Sequence, residues 1–131
     1  MEEKKYLEEL IVDQSELVHK VLKDTLKPLL GLSKDQDVII PTAEFQKLSY
    51  KQKVTAYLLA RLAMADLGIP GGNAAADVSK IAEATMINKS RCSETLSRMR
   101  GELFESGQEG WFIPKNKISL ASNILLGIEK P

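Results

Sequence analysis

One cysteine, Cys92, and one histidine, His19, are all the chain has of either. Neither an internal disulfide nor a His/Cys zinc site can be assembled from them, and the carboxylates show no metal-ligand spacing. A nucleophile–base pair would have to join a Ser or Cys to His19, which belongs to a different helical unit from every candidate, so no enzyme and no cofactor are expected. Aromatic residues are only 5% of the chain, and Val, Thr and Tyr do not cluster into many short runs, which excludes a strand-rich fold. No apolar run approaches the roughly 18 residues needed to cross a bilayer. Gly71-Gly72 is followed by no Lys-Ser/Thr at phosphate-loop spacing, and no small-molecule ligand is evident. An excess of one charge is also missing: 18 Lys+Arg stand against 18 Asp+Glu, which argues against indiscriminate coating of nucleic acid.

What remains is 131 residues, 44% apolar and 27% charged, enough for one domain with a real core. The opening Met1-Glu2-Glu3-Lys4-Lys5 is charged, unlike the basic-then-apolar pattern of an export signal, and the single thiol suits a reducing compartment. A cytoplasmic location is therefore expected. Residues 3–30 carry one helical stripe through Leu7, Leu10, Ile11, Leu17, Val18, Val21, Leu22 and Leu29, ended by Pro28 and Gly31. About 25 helical residues would reach roughly 37 Å. The unit 1–31 either packs on the helix at 50–67 or, since its stripe is close to a heptad, pairs with a second copy. Residues 32–49 form a connector, with Val38-Ile39-Ile40 as a short extended candidate and a helical turn around Phe45.

The second helix opens on Ser49 and Gln52, a capping-box pair. Its apolar face is Val54, Tyr57, Leu58, Leu62 and Ala65, and Gly68 with Pro70 stops it. From Asp77 to Gly101 the chain reads DVSKIAEATMINKSRCSETLSRMRG. Asp77 caps a short helix whose buried face is Val78, Ile81, Ala82 and Thr85. Met86-Ile87-Asn88 breaks it, with Ile87 as apolar plug and Asn88 as the next cap. Cys92, Leu96, Met99 and Leu103 then share one face. Two short helices joined by about three residues, each with one buried stripe, meet the requirement of a helix-turn-helix.

This segment resembles the winged helix-turn-helix superfamily of bacterial and archaeal regulators, through V-S-K-I-A-E-A-T, I-N-K-S-R and S-E-T-L-S-R. The likeness covers Asp77 to Ile118, or about 70 residues with the 50–67 helix. It departs at Met86, where the family usually has glycine. The resemblance implies a mainly helical fold with a small β-hairpin wing, extended by a long N-terminal helix and a short C-terminal helix over 121–131. The winged unit would span 50–120, with wing strands at Leu103–Ser106 and Trp111–Ile113. It also implies dimerisation through helices outside the motif, hence a homodimer through the N-terminal helix, and a role as transcriptional regulator on duplex DNA.

The recognition helix would be 89–101. Opposite its buried stripe lie Ser90, Glu94, Ser97 and Gly101, flanked by Arg91 and Arg98. Small hydroxyl residues let a helix approach closely, and arginines reach phosphates or guanine edges. Asn88, Lys89 and Ser90 stand at the helix N-terminus, where free amides favour a phosphate. Lys115 and Lys117 would be the basic contacts at the base of the wing, whose loop carries Glu109 and no cation. A solvated helix face has the same makeup, so a protein-binding winged helix without DNA is the competing reading. That reading calls for an exposed apolar patch on the helix or wing, which the sequence does not show. Cys92 and the methionines read as core, and Trp111 and Phe112 as wing anchors more than base-stacking platforms.

Overall fold

The computed structural model describes residues 14–127. The stripe residues Leu7, Leu10 and Ile11, and the tail beyond Gly127, lie outside them. Helix α1 (Gln14–Leu26) leads into an antiparallel strand pair, β1 (Leu30–Leu32) and β2 (Ile39–Pro41), with Gly31 opposite Ile40. A single turn, α2 (Ala43–Gln46), seats Phe45 fully in the core and precedes the longest described helix, α3 (Tyr50–Leu67). Helices α4 (Val78–Thr85) and α5 (Lys89–Arg98) follow. A second antiparallel hairpin, β3 (Glu105–Gly107) and β4 (Gly110–Phe112), then passes through a 3-10 turn at Lys115–Lys117 into α6 (Ile118–Leu126). The architecture is mainly helical with small hairpin sheets, and no helix among the described residues is long and apolar enough to cross a membrane.

Helix α3 is the axis of the core. Its start is fixed locally: the Ser49 hydroxyl accepts from the Gln52 backbone N–H at 3.2 Å, and the Gln52 side chain accepts from the Ser49 N–H at 3.1 Å. Its end is a left-handed cap at Gly68. Between them, every residue from Val54 to Leu62 is buried, and helices α1, α4, α5 and α6 all pack against it. A helix covered all round needs no single apolar face, and this overrides the one-stripe expectation. Ala65, expected on the buried face, is exposed, while Arg61 is buried.

Arg61 is tolerable there because its donors are used. Its Nε donates to the Asn73 carbonyl at 2.6 Å and its Nη1 to Asp37 Oδ2 at 3.2 Å. Lys80 on α4 donates to the same carboxylate oxygen. Asp37, in the loop between β1 and β2, thus ties that loop to both α3 and α4. Hydrogen bonds from the Lys80 ammonium and then the Arg61 guanidinium hold its carboxyl below the usual carboxylate range.

The N-terminal unit is shorter at its C-terminal end than the sequence pattern suggested. Helix α1 stops at Leu26, because Leu30–Leu32 leaves the helical path to pair with the extended segment anticipated around Val38–Ile40. Within the chain α1 lies against α3 and α6. Leu22 and Leu26 are buried, and the buried Thr25 and Ser122 hydroxyls bond to each other at 2.6 Å. Leu17, from the sequence stripe, is half exposed.

Candidate nucleic-acid interface

Helices α4 and α5 are set by their caps. The Asp77 carboxylate accepts from the Lys80 backbone N–H at 2.8 Å and so begins α4. Ile81, Ala82 and Thr85 turn that helix onto the core. Met86 then takes the left-handed conformation (φ 58°), the only non-glycine among the described residues to do so. A left-handed residue is needed to end α4 and redirect the chain within three residues, which is the role glycine plays at lower cost. Ile87 plugs the junction, and Asn88 Oδ1 accepts from the Ser90 N–H at 2.8 Å to start α5.

Cys92 and Leu96 on α5, with Leu103 just beyond it, are fully buried, and Met99 is half-buried. Burial pushes the Cys92 thiol up to about 11, so it is a neutral packing group. The opposite face is open: Asn88, Lys89, Ser90, Arg91, Glu94, Ser97 and Arg98 are all exposed. They are not all free. Arg98 makes an ion pair with Glu94 one turn back at 2.7 Å, and the Arg91 guanidinium lies 5.2 Å from the centre of the Tyr50 ring. Stacking on Tyr50 orients Arg91 while leaving its hydrogen-bond donors unspent.

Tyr50 and Lys51 were not among the residues singled out from sequence. They come from the first turn of α3, which runs beside α5. Together with Arg91, Glu94, Thr95 and Arg98 they line a groove of about 450 Å³. Sequence offered no signal for this, because the pairing of α3 and α5 is a tertiary fact. The groove carries Lys51, Arg91 and Arg98 against Glu94, with Lys89 at the near end of α5.

The hairpin stands where α5 leads. Its register opposes Glu105 to Phe112 and Ser106 to Trp111, with Gln108-Glu109 as a two-residue turn. Leu103 and Phe104, expected to lie in the first strand, are buried anchors ahead of it. Ile113, expected in the second, is a buried residue just after it. Trp111 exchanges two backbone hydrogen bonds with Ala76, at 2.8 and 3.0 Å, so a single antiparallel bridge ties the segment ahead of α4 to the hairpin. Gly110 is what permits the approach: a Cβ there would meet Ala76 carbonyl atoms at 2.4 Å. At the turn, the Asn73 amide donates to Glu109 at 2.8 Å, and the Arg100 guanidinium lies 6.0 Å from the Trp111 ring centre. Lys115 and Lys117 sit on the 3-10 turn, which packs against α6, and they do not line the α3–α5 groove.

Among the described residues no cluster of three or more His, Cys, Asp or Glu could hold a metal ion. His19 makes a 3.2 Å contact with Asp66 across α1 and α3. Comparison with protein-family models, curated proteins and solved structures finds no match to this chain.

Proposed function

We propose that the chain is a winged helix-turn-helix protein that binds duplex DNA in the cytoplasm, as a regulator working as a homodimer. The observation that carries this reading is the exposed face of α5. Its Ser90 and Ser97 leave room for close approach, and Lys89, Arg91 and Arg98 surround them. Ten helical residues span about 15 Å, and the major groove of B-DNA, about 12 Å wide, admits such a helix. In this reading α5 lies in the groove and Lys51 contacts the flanking phosphates from the first turn of α3. The hairpin β3–β4 is the wing. The acid in its turn, Glu109, is drawn back to Asn73, which lessens its repulsion of a nearby phosphate.

Glu94 has two chemistries open to it. Paired with Arg98 it neutralises part of the face. Released by a competing phosphate at Arg98, its carboxylate is free to accept from a cytosine amino group.

The alternative is a protein-binding winged helix, favoured by the zero net charge and by the Glu94–Arg98 pair. Selection from a random duplex library at low salt separates the two. Enrichment of a shared sequence supports the DNA reading. No enrichment, with Lys89, Arg91 and Arg98 all replaceable by alanine without changing retention on DNA, transfers the proposal to the protein-binding form.

A further inference from the structure

At the other end of α3 from Tyr50 and Lys51, α1, β1 and the last turns of α3 enclose an open groove of about 440 Å³. Its walls are apolar: Leu22, Leu26 and Leu30 on one side, Ala63 and Leu67 on the other. Leu67 is 69% exposed, an unusual position for a leucine on a surface with nothing against it. Lys23 and Lys27 also line it, and among the described residues neither is in an ion pair, whereas the one acid of the lining, Asp66, is in contact with His19 at 3.2 Å.

The chain itself carries a stretch of matching chemistry. Residues 2–16 hold Glu2, Glu3, Glu8, Glu9, Asp13 and Glu16 against only Lys4 and Lys5, with Leu7, Leu10 and Ile11 as apolar contacts. We infer that the groove is the contact between two copies of the chain, each inserting its Tyr6–Val12 stretch into the groove of the other. The inference rests on the homodimer reading above and supplies its geometry.

Two observations choose a second copy over the chain's own N-terminus. No glycine or proline occurs between Met1 and Lys27, so nothing in the sequence turns the chain back. Gln14–Leu26 is already helical, and the groove begins at His19, further along that helix. The exchange is reciprocal, one stretch and one groove from each copy, and therefore closes as a two-fold dimer. The lengths agree: His19 to Leu26 is about 11 Å of helix, and Tyr6–Val12 as helix would cover about 10 Å. Acidic residues then meet Lys23 and Lys27, whereas pairing the two N-terminal stretches side by side would set like charges together.

Sedimentation equilibrium on the full chain at low salt tests this with three variants. The wild type should dimerise at tens of micromolar. Lys23→Glu with Lys27→Glu should weaken association roughly tenfold, by replacing attraction with repulsion at two grooves. Glu8→Lys with Glu9→Lys should do the same, and the fourfold swap should restore the dimer. Both lysines are exposed, so unchanged thermal melting of the first variant would show that folding is intact. A wild-type chain that stays monomeric overturns both the homodimer and the groove. A dimer indifferent to the lysine swap leaves the homodimer standing and overturns the groove contact. Failure of the fourfold swap to restore a dimer lost in both double variants overturns the proposed pairing of the two stretches.

Discussion

Replacing Gly110 by alanine should destabilise the protein far more than the same change at Gly101, although both glycines have positive φ. At Gly101 (φ 84°) an added Cβ meets nothing within 4 Å, so only the backbone preference is lost, about 1 kcal/mol. At Gly110 (φ 126°) the Cβ would lie 2.4 Å from the Ala76 carbonyl carbon and oxygen and 2.8 Å from the Asp77 nitrogen. These are backbone atoms, and they cannot step aside cheaply. Ala76 is held by two hydrogen bonds to Trp111, and Asp77 caps α4. Overpacking of this kind costs about 1–3 kcal/mol and a strained φ about as much again, so a loss of roughly 3–5 kcal/mol is expected. For a chain of this size that corresponds to a fall in Tm on the order of 10–20 °C. Urea unfolding of both variants beside the wild type measures it. Equal, small losses at the two positions would refute the pairing of the hairpin with the Ala76 segment, and with it the account of how the hairpin is held beside α4.

Met86 offers the opposite case. It is exposed and left-handed, so Met86→Gly removes strain while giving up little burial and should raise stability by about 0.5–1 kcal/mol, read from the same urea curves. Asp37→Ala strips Arg61 of its carboxylate and should cost about 1–3 kcal/mol at neutral pH, since the buried guanidinium keeps only the Asn73 carbonyl. Because the folded carboxyl is held below its ordinary value, its contribution is complete above the unfolded pKa near 3.9 and is lost as pH falls through the folded one. The gap between wild type and Asp37→Ala should therefore shrink below about pH 4.

Local chemistry was legible in the sequence and tertiary chemistry was not. The Ser49/Gln52 box and the Asp77 and Asn88 caps depend on residues within three positions of one another, and each stands as its spacing indicated. The stripe through Cys92, Leu96 and Leu103 was readable because α5 has only one buried side. Helix α3 has none exposed over its middle, so periodicity misplaced Ala65 and passed over Arg61, whose partner Asp37 lies 24 residues away. Val38–Ile40 carried a strand signal, but its partner Leu30–Leu32 was hidden behind Pro28 and Gly31, which read as a helix stop. For the same reason the face of α5 was visible while Tyr50 and Lys51, which complete its groove, were not.

The most direct test of the account is the salt dependence of duplex binding by the full chain, wild type against Lys89→Ala. Fluorescence anisotropy on a duplex enriched from the library gives log affinity against log salt. If α5 and its N-terminus bind DNA, the wild-type line falls by about 0.9 per phosphate contact, and Lys89→Ala flattens it by about one such step on every sequence tried. Superimposable lines for the two proteins, or no measurable binding at low salt, would contradict the claim that this face of α5 meets DNA.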